Sequence, residues 1–220
     1  MFLAGKNSPI SSEKNLQKYF SDIYLLNSFQ GKDSKSGPGS DLTQTTTIRK
    51  QLPQLLKDLN IMSFCDIPCG DFNWMNLLSM DPINYTGHDI APELINNLKI
   101  EFESDYRKFS VLNLVNQIPS KYDLIFCRDL LVHLSFSDAL LALENIKKSE
   151  STYLLTTSFP KHDSNQDIEY SPQNIGWYPI NLELTPFNFP TPILIVNENC
   201  TEGDGLFADK SLVLYAIKDL

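Results

Sequence analysis

The sequence predicts a three-layer α/β fold, in which a mostly parallel seven-stranded sheet with an antiparallel last strand carries an N-terminal helical cap. Between residues 61 and 159, five short apolar segments alternate with polar or helical ones, as in parallel strands joined by right-handed crossovers. Two later apolar segments are separated by a loop too short for a crossover helix, so they should pair antiparallel at one side of the sheet. The predicted strands are residues 61–67, 85–90, 108–114, 122–127, 152–159, 192–199 and 210–217.

Two amphipathic helices around a polar loop are predicted ahead of the first strand. Residues 12–30 and 43–60 carry apolar side chains at helical spacing, and Pro53 should kink or restart the second helix. The sequence GKDSKSGPGSD between them predicts a flexible loop over residues 31–41. Further along, Ser135 is expected to cap the helix that follows the fourth strand.

The polar loop also suggests a division of the chain. We expect a helical cap or lid over residues 1–42 and one main domain over residues 43–220, with Ser36–Ser40, Gln44 and Arg49 closing over a ligand. Later in the chain, the aromatic-rich stretch after the fifth strand predicts a long ordered insertion. Its aromatic side chains either pack locally or form a binding wall.

Charge and composition exclude several classes of function. The chain has 18 Lys and Arg residues against 27 Asp and Glu residues, a net charge of −9, which disfavours nucleic acids and anionic membranes as partners. No apolar run approaches the roughly 20 residues of a membrane span, and the first ten residues lack the pattern of a secretion signal. With only four cysteines, the sequence predicts a protein of the reducing cytoplasm.

Polar residues follow the predicted strands at the edge where α/β sheets bind ligands. Asp66 ends the first strand and is followed by a turn containing Gly70, Asp89 ends the second, and Asn113 lies in the third. A carboxylate at the end of the second strand can accept both hydroxyl protons of a ribose, and an amide can pair with an adenine edge. Together these residues predict an adenosine site.

The turn after the first strand indicates which adenosine compound is bound. A dinucleotide pyrophosphate needs glycines that let backbone N–H groups approach it, but Pro68 and Phe72 stand where glycine would be needed. Asp66 and Asp71 would repel a pyrophosphate and attract an ammonium or sulfonium group. The pattern therefore favours S-adenosylmethionine over NAD.

The run IMSFCDIPCGDFNWM resembles the first motif of class I S-adenosylmethionine-dependent methyltransferases. Asp66, Cys69 and Gly70 match that motif, whereas Pro68 and Phe72 depart from it. Asp89, Asn113 and the strand end Cys127-Arg128-Asp129 look like the second, third and fourth motifs. The resemblance implies a Rossmann-like methyltransferase fold over the main domain. The residues predicted to bind the cofactor are Asp66, Pro68, Cys69, Gly70, Phe72, Trp74, Asp89, Ile90, Asn113, Leu114, Cys127 and Arg128.

A narrower resemblance covers about residues 36–217. SGPGS, DIPCGDFNWM, CRDLLVHLSF, PFNFP and CTEGDG with ADKSL look like a small bacterial methyltransferase family associated with cell-surface polysaccharide loci, including capsule O-methyl phosphoramidate biosynthesis. This resemblance implies a small polar acceptor, either a sugar or polysaccharide precursor or a capsule phosphoramidate group.

Asp129 and His133 are the predicted catalytic pair. They are four residues apart, so a helical turn would place them on one face, where the carboxylate would raise the imidazole pKa and select its tautomer. His133 would then act as general base toward an acceptor hydroxyl. Arg128 is expected either to meet an anionic part of the acceptor or to pair with a structural acid.

Two alternative functions remain at this stage. The first is a binding module without catalysis or an NAD(P)-dependent enzyme of similar architecture. The second is a nucleic-acid methyltransferase, which the net charge and the absence of an N/D-P-P-Y tetrad disfavour. No metal is predicted: no His/Cys cluster has zinc spacing, although Asp71, Asp89 and Asp129 could in principle gather around Mg²⁺.

Overall fold

The computed structural model describes residues 13–168 and 176–220. Its centre is one seven-stranded sheet with the strand order β3-β2-β1-β4-β5-β7-β6. The strands are β1 Ser63–Asp66, β2 Asn84–Asp89, β3 Arg107–Val111, β4 Leu124–Cys127, β5 Tyr153–Ser158, β6 Leu194–Asn197 and β7 Ser211–Ala216. All seven lie within the segments predicted from the sequence or within one residue of them.

The direction of the strands confirms the predicted sheet. Strands β1 to β5 are mutually parallel, whereas β7 pairs antiparallel with both β5 and β6. Only β7 therefore runs against the others. Because the chain proceeds outward in one direction from β1 and in the other from β4, the carboxyl ends of these two neighbours form the topological switch point, where open α/β sheets bind ligands.

Helices cover both faces of the sheet. They are α1 Glu13–Leu26, α2 Thr46–Asp58, α3 Pro92–Phe102 and α4 Phe136–Lys148. The expected restart at Pro53 is wrong, because α2 continues through this residue. Its buried face (Ile48, Leu52 and Leu56) packs into the core, and this packing compensates for the backbone hydrogen bond that proline cannot donate.

Two hydrophobic cores lie on opposite faces of the sheet, which confirms the three layers. One core joins α2 and α3 to the sheet, and the other joins α4 and the insertion after β5 to it. All four residues of β4 are buried, as expected for a strand covered on both faces. In the insertion, Phe187 and Phe189 are buried in the α4-side core, so these two aromatic residues pack locally.

The predicted cap of α4 is also confirmed, since the Ser135 hydroxyl accepts a hydrogen bond from the Asp138 N–H group at 3.2 Å. This interaction satisfies one of the free N–H groups in the first helical turn. Among the helices of the described residues, none is long and apolar enough to cross a membrane.

Helix α4 offers a direct test of the second core. Leu143 is 3% exposed and belongs to this core, whereas Leu141 on the same helix is 47% exposed. Leu143→Ala should lower the free energy of unfolding by about 2–5 kcal/mol, because it removes a buried side chain and leaves a cavity. Leu141→Ala, the chemically identical control, should cost less than about 1 kcal/mol. Urea denaturation checks both values, and equal losses would contradict the assignment of these two faces.

Candidate functional site

A cavity lies above the carboxyl ends of β1, β2 and β4, at the topological switch point. Its floor is formed by the residues after these strands, and its roof by α1 and the loop that follows it. The structure brings most of the predicted site residues together in its lining. These are Asp66, Pro68, Cys69, Gly70, Trp74, Asp89, Ile90, Asn113, Leu114, Arg128, Asp129 and His133.

Phe72 and Cys127 are not placed in this lining. Phe72 is buried and packs against Tyr85 and Phe109 beneath the turn, because its left-handed backbone (φ 59°) directs the side chain into the α2–α3 core. Cys127 belongs to the opposite core because successive strand residues point to opposite faces, and its neighbours Phe126 and Arg128 take the cavity side. Burial raises the pKa of the Cys127 thiol to about 12. Phe72 and Cys127 therefore lie in the hydrophobic cores and not in the cavity lining.

The turn after β1 is closely covered by the roof. Gly70 has a left-handed backbone (φ 54°), and a β-carbon at this position would lie 2.3 Å from the hydroxyl oxygen of Ser36. Only glycine fits both constraints. The Gly70 N–H group donates to Asp89 at 3.2 Å, and the Asp71 N–H group donates to the Ser36 hydroxyl at 2.8 Å. Two N–H groups of the turn are thus already paired within the protein.

Asp89 is held rigidly at the end of β2. One carboxylate oxygen accepts from Gly70, and the other accepts from the Ala91 N–H group at 3.0 Å. The side chain is buried, and this burial raises the pKa of Asp89 to about 6 although the backbone N–H groups act in the opposite direction. The carboxylate keeps further lone pairs for hydroxyl groups of a ligand.

Asp66 is the second buried carboxyl group on the floor. It is 3% exposed and accepts a hydrogen bond from the Tyr85 hydroxyl at 2.6 Å. Burial raises the pKa of Asp66 to about 8. Sequence reasoning missed Tyr85, because its contact with Asp66 depends on the register between β1 and β2, which pairs Phe64 with Tyr85.

Asn113 lies two residues beyond β3, not within it as predicted. Its side-chain oxygen accepts a hydrogen bond from the Val115 N–H group at 3.1 Å, and its backbone N–H group donates to the side-chain oxygen of Gln117 at 2.7 Å. The side-chain nitrogen Nδ2 is buried, with no hydrogen-bond acceptor among the described residues. An unsatisfied buried donor is costly, and this one belongs to a residue of the cavity lining.

Arg128 pairs with a structural acid, the second of the two roles considered for it. Its guanidinium contacts Glu198 at 2.8 and 3.2 Å, the Gly39 carbonyl at 2.8 Å and Asp129 at 3.2 Å. Three of its five N–H donors therefore make hydrogen bonds within the protein, and Asp129 adds an ion pair. Glu198 directly follows β6 and was not predicted, since nothing in the sequence relates it to the end of β4.

Asp129 is surrounded by positive charge. Lys210 contacts one of its carboxylate oxygens at 2.6 Å and Arg128 the same oxygen at 3.2 Å, while the Thr157 hydroxyl contacts the other at 3.2 Å. The two cations hold the pKa of Asp129 well below its usual range. The carboxylate therefore stays ionised at any pH near neutrality.

His133 is oriented by a residue that the sequence did not suggest. Its Nδ1 atom lies 2.9 Å from the Gly176 carbonyl oxygen, which can only accept, so Nδ1 carries the proton and the basic lone pair is on Nε2. The sequence spacing predicts that Asp129 and His133 share one face of a helix. Instead, Asp129 has a left-handed backbone conformation and precedes the short 3₁₀ turn Leu131–His133. The expected rise in the pKa of His133 is also wrong. Burial lowers this pKa, and its effect is larger than the opposite effects of the Gly176 carbonyl and Asp129.

The roof loop is bound to the floor by Asp71. The Asp71 carboxylate accepts from the Ser34 hydroxyl at 3.0 Å and from the Lys35 N–H group at 2.8 Å. Ser36 and Ser40 line the cavity. Gln44 and Arg49 do not; they contact Thr201 and the Leu42 carbonyl, respectively. Within residues 13–168 and 176–220, no group of three or more His, Cys, Asp or Glu side chains is placed to hold a metal ion.

Comparison with known proteins identifies the fold. No protein-family model matches the chain, and no curated protein sequence matches it. Among solved structures, the pyocyanin biosynthetic protein PhzM matches 90% of this chain and 62% of its own, with a TM-score of 0.60 and 15% identity. Magnesium protoporphyrin IX methyltransferase from Synechocystis PCC 6803 with bound S-adenosylhomocysteine (SAH) matches 69% of this chain and 74% of its own, with a TM-score of 0.51 and 17% identity.

A third solved structure is the N-methyltransferase NodS from Bradyrhizobium japonicum WM9 in complex with SAH. It matches 63% of this chain and 74% of its own, with a TM-score of 0.50 and 17% identity. These similarities agree with the strand order and with the single antiparallel strand described above. The chain therefore has the Rossmann-like α/β fold of these methyltransferases.

Proposed function

We propose that this chain is an S-adenosylmethionine-dependent methyltransferase that acts on a hydroxyl oxygen of a small acceptor. The observation that carries the proposal is the joint presence of Asp66, Asp89 and Asn113 in one cavity at the switch point, with the buried Asn113 donor unsatisfied. The solved methyltransferases with this fold include structures that hold S-adenosylmethionine or SAH, which supports the same cofactor here.

The residues on the cavity floor fit this cofactor. The Asp89 carboxylate, fixed by two N–H groups, is suited to the ribose hydroxyls, and Asn113 Nδ2 to an acceptor nitrogen of adenine. Asp66, once ionised, is suited to the ammonium group of the methionine part. A dinucleotide fits poorly, because the N–H groups of Gly70 and Asp71 are already donated to Asp89 and Ser36 and leave no cradle for a pyrophosphate.

His133 is the proposed general base. When bound, S-adenosylmethionine supplies a methyl group on a sulfonium sulfur, and the protein must align the acceptor oxygen and remove its proton. Because its pKa is lowered, His133 is neutral at pH 7, and Nε2 can take that proton. The nearby Asp129 carboxylate, kept ionised by Lys210 and Arg128, then stabilises the imidazolium.

For the acceptor we retain the small polar compound implied by the sequence, a sugar or polysaccharide precursor. A phosphoramidate group fits less well, because the guanidinium of Arg128 is already bound by Glu198 and Asp129. We also propose that residues 1–42 serve as a lid, since the described part of this segment forms the cavity roof. Four free, buried cysteines are consistent with a cytoplasmic location.

Replacing Asp89 tests the proposed ribose contact. Asp89→Asn should weaken S-adenosylmethionine binding by about 10- to 100-fold, because a charge-assisted hydrogen bond contributes about 1.5–3 kcal/mol. Asp123→Asn is a matched control: the Asp123 carboxylate also accepts two backbone N–H bonds, but at the opposite end of β1. Titration calorimetry should show unchanged affinity in the control. Equal affinities of wild type and Asp89→Asn would contradict the site.

The raised pKa of Asp66 predicts a pH-dependent stability of the ligand-free protein. Between pH 5 and 7 the unfolded state has ionised Asp66, while the folded state keeps it protonated until about pH 8. The folded state thus binds more protons than the unfolded state. Asp66 should therefore lower the free energy of unfolding by about 1 kcal/mol for each pH unit of increase in this range. Denaturant titrations of Asp66→Asn should show a correspondingly flatter profile than wild type. Parallel profiles would show that Asp66 has no raised pKa.

Replacing His133 tests the proposed base. His133→Gln should lower methyl transfer by about 10²- to 10⁴-fold, the usual contribution of a general base, while binding of S-adenosylmethionine stays within threefold. Transfer is measured with labelled cofactor and an extract of polysaccharide precursors. His162→Gln, which changes a histidine paired with Asp209 outside the cavity lining, is the control. Wild-type turnover in His133→Gln would remove His133 from the mechanism.

A further inference from the structure

The roof of the cavity restricts what can approach His133. We infer that the acceptor is an uncharged ring compound whose hydroxyl reaches His133 while an apolar face of the ring lies against Phe20 and Phe29, which we call the aromatic wall. This inference rests on the proposed function, because it takes His133 as the base. It narrows the acceptor class beyond a small polar molecule.

The aromatic wall stands directly beside the proposed base. Phe20 belongs to α1 and Phe29 follows this helix, and their ring centroids lie 6.4 and 5.1 Å from the centroid of the His133 imidazole. Both rings line the cavity and are half-buried. An acceptor that places its hydroxyl oxygen beside His133 in this cavity therefore has the two rings as close neighbours.

Three leucine side chains add to the apolar part of the cavity lining. Leu16 of α1 and Leu130 and Leu134, on either side of the 3₁₀ turn, line the same cavity. A strongly hydrated group placed against them would lose its water without gaining hydrogen bonds. A ring with an apolar face loses little and gains contact with the aromatic wall, since such faces pack well on phenylalanine.

The charges of the lining disfavour an anionic acceptor. Among the described residues, the basic side chains that line the cavity are Lys35 and Arg128. Arg128 is buried and neutralised by Glu198, while Lys35 is exposed, with its ammonium group 5.3 Å from the ring centroid of Tyr24. The carboxyl groups in the same lining outnumber them. They belong to Asp66, Asp71, Asp89 and Asp129.

Two kinds of molecule share the required chemistry. Phenols and pyranosides both carry an uncharged ring hydroxyl beside an apolar ring face. A pyranoside is the sugar-type acceptor proposed above. A phenol would be a different acceptor and would take the place of the sugar in the proposed reaction. 4-Hydroxybenzoate is the matched anionic probe, because it keeps the aromatic ring and the hydroxyl group of phenol and adds the negative charge that the lining should reject.

The test measures binding and not turnover. Wild-type protein saturated with SAH is titrated with phenol, methyl β-glucopyranoside and 4-hydroxybenzoate, and binding is followed by saturation-transfer NMR. We expect phenol or the glycoside to bind at least tenfold more tightly than 4-hydroxybenzoate, and the stronger of the two neutral probes identifies the acceptor type. Phe29→Ser should lower the affinity for that probe at least tenfold. Phe29→Leu, which preserves apolar volume, should weaken it less.

A control variant and the SAH affinity separate the possible failures. Phe136→Ala removes a half-buried phenylalanine that packs against Phe187 outside the cavity lining, so ring binding should be unchanged. Tight binding of 4-hydroxybenzoate, or no binding of either neutral ring to SAH-saturated wild type, would overturn the acceptor inference alone. Failure of the wild type to bind SAH or S-adenosylmethionine would overturn the proposed function itself.

Discussion

The buried ion pair between Arg128 and Glu198 is the interaction on which the site depends. It joins the end of β4 to the end of β6, and through the Gly39 carbonyl it also holds the roof loop. Asp129 and Lys210 extend it into a cluster of two cations and two carboxylates. Removing one partner of such a buried pair leaves an uncompensated charge and costs about 3–5 kcal/mol. The same contacts that join the ends of β4 and β6 therefore also fix Arg128 and Asp129 in the cavity lining.

The turn after β1 shows how local hydrogen bonds determine which ligand a common fold accepts. In dinucleotide-binding proteins, the N–H groups of this turn remain available for phosphate oxygens. Here Gly70 and Asp71 donate theirs to Asp89 and Ser36. The carboxylate thus becomes a fixed acceptor for hydroxyl groups, and the roof loop is anchored on the turn. A phosphate-free adenosyl compound is the ligand that this arrangement suits.

The proposed base depends on segments that are far apart in the chain. His133 lies after β4, the carbonyl that selects its tautomer belongs to Gly176 in the insertion, and the rings beside it come from α1 and the following loop. Burial by these segments keeps the imidazole neutral, which suits it for proton removal. The insertion and the N-terminal segment, which vary most easily between proteins of one fold, therefore shape the reacting end of the site.

The strands and the floor of the cavity were predictable from the amino-acid sequence alone, because strand periodicity and the residues at strand ends are local signals. Asp66, Asp89 and Asn113 were found in this way. Three features became visible only in the folded chain: which side chains turn away from the cavity, what neutralises Arg128 and what surrounds His133. These features depend on turn conformation, on pairing between distant strands and on burial. Burial by remote segments cannot be read from local spacing, which is why the direction of the His133 pKa shift was predicted wrongly.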